Sequence, residues 1–411
     1  MTEMRFDTRD ILKSPRYALS LQRIWIQFLG LITGYVGYLI FTYLSFIVAG
    51  VGLVKGWKKY GLLPCLFPES PNWYSLIVYF IGLIWLIAIY LITATAISRA
   101  TYKLLKNDHF YTWLDAVKFA LRKAGSVILS PISIALMVAF ILAGGAIVGL
   151  LGKIPFVGEF GITLFTLIWF FTSLLVVFMI IVLAVALIES PAIIATTEDD
   201  AFEAVFQSFS LLWSQPWRLI WYTVVAVALS ILGLLIAALL SKQAYLVMER
   251  VFSFAMGANF INISAHAMYL LNVWLYHSVL WARNLLGDLV GWFYFSKDFI
   301  PLPLPHGYQF VASYIFAIWM LIIGFIIVSY GLSSFNVGNT VAYLVLRKKK
   351  DGDNLLERKD SEEEEEEETK LPTDQGQASS EPQPPVEQPA PAAPTEKPKK
   401  ERKKKSKESG S

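Results

Sequence analysis

The sequence predicts an all-α polytopic membrane bundle of six spans in repeated hairpins, with interfacial amphipathic helices and a disordered C-terminal tail. Three observations carry that prediction. Of 411 residues, 55% are hydrophobic and 16% charged, against roughly half and about a quarter in an average soluble domain, and mean hydropathy is +0.53. Charge-free stretches recur at 24–54, 70–98, 124–152, 160–188, 219–241, 251–282 and 299–346, and about 20 apolar helical residues cross a hydrocarbon core about 30 Å thick. Charge then reverses at residue 351: residues 1–350 hold 24 Lys/Arg and 15 Asp/Glu, whereas 351–411 hold 11 and 17. A single cysteine, Cys65, excludes an internal disulfide framework and multi-cysteine metal sites.

Taken in order, six of the apolar intervals predict spans at about 26–50, 74–97, 127–150, 162–187, 219–240 and 310–332, each rich in Leu, Ile, Val and Phe. The remaining interval, 251–282, differs. Its Asn259, Asn262, His266, Tyr269, Tyr276 and His277 fall close to one helical face together with Asn284 and Asp288, which predicts an interfacial helix rather than a span. It belongs to an outer amphipathic region, 241–309, that also holds Trp274, Trp281, Trp292, Phe293, Tyr294, Phe295 and the alternating Pro301, Pro303 and Pro305. Such aromatics fit headgroup-level anchoring.

Orientation follows from Lys and Arg in the segments beside the spans. With six spans and an inside N-terminus, 16 of these charges lie inside, Arg347, Lys348, Lys349 and Lys350 among them, and eight outside. Both termini are therefore expected in the cytoplasm, with the bundle in a bacterial inner membrane. The first 23 residues mix charge with apolar residues and hold no cleavable apolar core ahead of the first span.

Three segments leading into outward-going spans look alike. Residues 10–26 read DILKSPRYALSLQRIWI, residues 115–135 DAVKFALRKAGSVILSPISIA, and residues 203–222 EAVFQSFSLLWSQPWRLIWY. In each, an acidic residue opens an amphipathic stretch, where the backbone dipole favours it. A polar–Pro step then marks a joint between helices (Ser14-Pro15, Ser130-Pro131, Gln215-Pro216). Across about residues 98–240, this order of amphipathic segment with Ala204 and Ser208, proline and hairpin resembles the polytopic membrane domain of bacterial glycerophosphoryl diester phosphodiesterases and related uncharacterised bacterial membrane proteins. The resemblance implies architecture only, since no His/Glu cluster suited to that metal-dependent hydrolysis accompanies it. Mitochondrial carriers also have three hairpins, but Pro15 is followed by Arg16-Tyr17, which breaks their signature.

Candidate polar positions are few. The middle of every span is free of charge, and an intramembrane charge is the usual mark of an ion or proton path. Glu189, at the inner end of the fourth span, and Glu159, at the outer mouth before it, are the nearest acids; the favoured role for Glu189 is snorkelling to the headgroups. His266 and His277 lie about 16 Å apart along a helix and cannot share one metal, so interfacial hydrogen bonding is expected of them. No metal or cofactor is expected. Gly30 and Gly34, and Gly145 and Gly149, are spaced for close helix packing, while Gly331, Gly338 and Asn339 predict a kink or local unwinding after the last span.

The tail carries seven consecutive glutamates at 362–368, a Pro/Gln/Ala stretch, and then Lys397, Lys399, Lys400, Arg402, Lys403, Lys404, Lys405 and Lys407. It lacks the apolar residues needed to build a core and is expected to be disordered. Its basic end is suited to anionic lipid headgroups, or to a polyanion or protein partner, by charge neutralisation. No aromatics interleave the lysines, so sequence-specific nucleic-acid binding is not expected. Without a Ser/His/Asp constellation, a glycine-rich phosphate loop or metal-ligand spacing, the expected role is a non-catalytic scaffold, assembly or lipid-associated protein in contact with the bilayer. The alternative is a permease for a lipid-like or small neutral solute, which needs a polar cavity near the midplane.

Overall fold

The computed structural model describes residues 4–66, 72–286 and 307–358, which form thirteen helices and, among the described residues, no strand. Two short helices, α1 (Thr8–Ile11) and α2 (Ser14–Ala18), lead into α3 (Leu21–Val48). The short α4 (Leu53–Tyr60) precedes α5 (Trp73–Leu105). Then come α6 (Trp113–Arg122), α7 (Ala124–Leu151), α8 (Val157–Leu164), α9 (Thr166–Thr197), α10 (Ala201–Ser214), α11 (Pro216–Met256), α12 (Ala258–Leu286) and α13 (Tyr308–Asp351). The Lys and Arg cluster at 397–407 and the glutamate run lie outside the described residues.

Six helices, α3, α5, α7, α9, α11 and α13, are long and apolar enough to cross a bilayer, and α12 is not among them. The chain is an integral membrane protein. Local chemistry explains where the helices begin. The Thr112 side chain accepts from the Asp115 amide at the start of α6, and Asp200 does the same for Glu203 at the start of α10. Each is an N-cap followed by an acid in the first turn, where free amides and the dipole favour it. Pro15 and Pro216 sit in the first turns of α2 and α11, where a missing N–H costs nothing. Pro131 departs from the expectation: it lies inside α7, and the break between helices falls earlier, at Lys123.

The two longest helices also overrun their predicted ends. α11 has 41 residues and α13 has 44, about 60–65 Å at 1.5 Å per residue, or twice the hydrocarbon thickness. α11 does not stop at 240, because Lys242, Glu249 and Arg250 add polarity without breaking a helix. It stops at Gly257, whose φ of 58° other residues avoid. α13 runs unbroken through Gly331, Gly338 and Asn339, so the helix does not unwind there. Gly331 serves close approach instead: a Cβ there would lie 2.6 Å from Leu234 Cδ1 of α11.

Burial is uneven along the bundle. The N-terminal helices and the end of α13 share one face, tied by Lys349 Nζ to Asp7 at 3.4 Å and by Tyr330 OH donating to the Pro15 carbonyl at 3.3 Å. In the half adjoining this terminal face, α5 is buried through most of 93–105, α9 through most of 186–197, and α13 through most of 329–346. Their side chains form one core with Ile11, Val127, Leu211 and Leu219. In the opposite half, α7, α8 and α9 present Phe140, Phe160, Phe170 and Phe171 outward, a surface suited to lipid. The cap end above it is built by the end of α11, by α12 and by the start of α13.

Candidate functional site

Two features stand out inside the bundle, a buried polar seam in the terminal half and an apolar cavity in the cap half. The seam follows one face of α13, where Asn336, Asn339, Thr340 and Tyr343 recur at helical spacing. Asn336 Nδ2 donates to Gln27 Oε1 on α3 at 3.0 Å, and Tyr90 OH on α5 donates to Asn336 Oδ1 at 3.3 Å. The hydroxyls of Thr340 and Ser98 meet at 2.9 Å. Asn339 Nδ2 donates to the Ile188 carbonyl at 2.9 Å and reaches Glu189 Oε2 at 3.4 Å. Tyr343 OH donates to Gln207 Oε1 of α10 at 2.5 Å, and Gln207 Nε2 donates to Asp199 Oδ2 at 2.7 Å. Such pairing is what burial demands of polar groups. It cross-links α3, α5, α9, α10 and α13 in register.

Glu189 corrects the expectation for it. Its side chain is 1% exposed and does not snorkel, because the C-terminal half of α13 packs over this end of α9. Glu189 Oε1 and Asn339 Oδ1 are both buried without a hydrogen-bond partner. Glu159 stays exposed in the first turn of α8, at the other end of the hairpin, so the two acids are not brought together. His266 Nδ1 lies 2.7 Å from Ser313 Oγ, with the Phe310 ring 5.4 Å away, and burial pulls its pKa below the ordinary histidine value. His277 lies within α12, its side chain outside the description. Among the described residues no three His, Cys, Asp or Glu side chains group to hold a metal.

Sequence reasoning missed Arg99, counted there as a loop charge. It is fully buried near the end of α5. Its NH2 donates to Glu198 Oε1 at 2.7 Å and its NH1 to the Ala195 carbonyl at 3.1 Å, and the guanidinium lies 4.2 Å from the Phe119 ring centre. A signal was present in Thr93-Ala94-Thr95-Ala96-Ile97-Ser98, a run of small residues that lets neighbouring helices approach.

The cavity lies beyond the seam, where α13 passes from Ser329 back toward Met320. It measures about 590 Å³ and is walled by α3, α11, α12 and α13, through Tyr35, Leu234, Ala238, Met248, Met268, Leu271, Met320 and Phe325. Its polar lining residues are Tyr35, Ser241 and Tyr245, and Tyr35 OH is already committed to the Leu62 carbonyl. The volume falls within the range of small-molecule sites, about 300–1,000 Å³, and the methionines give it walls that adapt to an irregular apolar guest. One side is held by the Leu62 amide donating to the Trp274 carbonyl at 3.0 Å, the other by His266 and Ser313. Comparison with protein-family models, with curated proteins and with solved structures finds no match for this chain.

Proposed function

We propose that this is a non-catalytic, lipid-associated protein of a bacterial inner membrane, with the terminal face in the cytoplasm, and that its cavity holds the acyl chain of a membrane lipid. The observation that supports this is the cavity's chemistry: about 590 Å³ with an almost wholly apolar lining, in a protein whose surrounding solvent is lipid. The seam fixes α3 against α13, two of the helices that wall the cavity. A permease for a neutral solute needs an open polar passage, whereas the polar side chains of Asn336, Thr340 and Tyr343 farther along α13 are paired with Gln27, Ser98 and Gln207. In this proposal the tail beyond 358 supplies contacts to anionic headgroups or a partner and leaves lipid retention to the bundle.

Co-purification tests this. Gly324 lines the cavity, and a Cβ built there meets nothing within 4 Å, so Gly324→Phe fills the space without displacing backbone. Wild-type protein washed in mild detergent is expected to retain a stoichiometric acyl lipid by mass spectrometry, and Gly324→Phe to lose it. Equal retention by a folded variant refutes the proposal.

A further inference from the structure

A second cavity, of about 460 Å³, opens at the terminal face between the α2–α3 joint and the turn that follows α5. It is lined by Arg16, Gln22, Arg23, Asp108, His109 and Tyr111, among others. Arg23 is 3% exposed, yet among the described residues its charge meets no carboxylate, only backbone carbonyls. Its NH1 donates to the Tyr17 carbonyl at 2.7 Å and its NH2 to the Ala100 carbonyl at 3.3 Å, while its buried Nε has no partner. A buried cation satisfied only by neutral acceptors is costly unless a counter-charge is near.

Among the described residues the cavity holds more basic than acidic charge. Asp108 is its single acidic lining residue among those described, and Asp108 Oδ1 is committed to the Phe110 amide at 3.1 Å. Against it stand Arg23 and the exposed Arg16, with the His109 imidazole beside them. The surroundings are apolar: Leu19, Leu21, Trp25 and Phe110 all project outward, Phe110 at 94% exposure. Large apolar side chains beside an arginine-lined hollow are placed as at the boundary between headgroups and acyl chains, where a cation meets phosphate and its neighbours meet hydrocarbon.

We propose that this cavity binds the phosphate of an anionic glycerophospholipid, with Arg16 and Arg23 facing the charge and the Leu19, Leu21 and Phe110 rim contacting the chains. The site is separate from the acyl-chain cavity of the cap half and does not depend on it. Full-length protein carrying Gly324→Phe, so that lipid in the cap cavity is not counted, tests it in neutral detergent, titrated in parallel with dioctanoyl phosphatidylglycerol, dioctanoyl phosphatidylcholine and inorganic phosphate, with binding read by native mass spectrometry. Phosphatidylglycerol is expected to bind tightest. Arg16→Gln, an exposed change that leaves the packing intact, is expected to weaken it about tenfold or more, the loss of a charge-assisted hydrogen bond. Arg23→Gln is expected to weaken it further if the variant folds; if it does not, Arg16→Gln and the double variant Arg16→Gln/His109→Gln decide. Equal binding of phosphatidylcholine, binding of inorganic phosphate as tight as that of the lipid, or an unchanged affinity in Arg16→Gln overturns the proposal.

Discussion

Replacing Arg99 by Leu tests whether the terminal half is organised around buried polar contacts. The side chain is fully buried and holds three partners at once: the Glu198 carboxylate at 2.7 Å, the Ala195 carbonyl at 3.1 Å and the Phe119 ring at 4.2 Å. Its ion partner caps α9 in a left-handed conformation, φ 61°, and its backbone carbonyl also accepts from Lys123 Nζ. Leu fills much of the volume but removes the charge, leaving a carboxylate whose side chain is only 14% exposed. Removal of one partner of a buried pair costs about 3–5 kcal/mol, which at about 2 °C per kcal/mol for a large chain lowers Tm by about 6–10 °C. Lys118→Met is the matched control. The Lys118–Asp115 pair is 3.8 Å long with side chains 76% and 46% exposed, and such pairs contribute about 0–1 kcal/mol. Thermal unfolding of the detergent-purified proteins, followed by circular dichroism, compares the two. An Arg99→Leu loss no larger than that of Lys118→Met refutes the argument.

Other expectations follow from the same packing. Gly30→Leu is expected to destabilise by about 1–3 kcal/mol, because a Cβ at Gly30 lies 2.0 Å from Thr93 Oγ1, whereas Gly145→Leu, whose Cβ meets nothing within 4 Å, is expected to change Tm little. Asn339→Leu removes the side-chain donor facing Glu189 and is expected to cost about 1–3 kcal/mol, with Glu189→Met restoring part of the loss in the double variant; strictly additive Tm changes contradict the coupling. The lowered pKa of His266 means that the detached state binds the proton first. Docking of α12 on α13 is therefore retained above about pH 6.5 and weakens as pH falls below it. Hydrogen exchange over residues 258–275, corrected for intrinsic rate, is expected to rise from pH 7.5 to 5.5 in wild type and to stay level in His266→Asn.

The six crossings were legible because a bilayer imposes a length: apolar runs near 20 residues between charges have few other uses. Helix ends were not, since a half-buried Lys242 or an exposed Arg250 is as comfortable in a helix as in a loop, and the backbone of Gly257 is what ends α11. The misplacement of Glu189 and the omission of Arg99 share a cause. Both lie near the ends of their apolar runs, where sequence position points to headgroups, but the extra turns of α13 beyond residue 332 cover Glu189, and the end of α9 with Phe119 of α6 encloses Arg99. The spacing Asn336, Asn339, Thr340 and Tyr343 was visible all along as one polar helical face, yet Gly331 and Gly338 drew the same stretch toward a kink. The cavity left no comparable trace. It exists because Met248, Met268 and Met320, each unremarkable on its own helix, stand around a space set by the relative positions of α11, α12 and α13.

Photo-crosslinking with a phospholipid carrying a diazirine on its acyl chain tests the cavity most directly. In intact membranes, peptide mapping is expected to place specific, competable crosslinks at Met248, Met268, Leu271 and Met320, and Gly324→Phe to abolish them. Crosslinks confined to outward residues such as Phe170 and Leu174, or unaltered by Gly324→Phe, contradict a lipid chain inside the bundle.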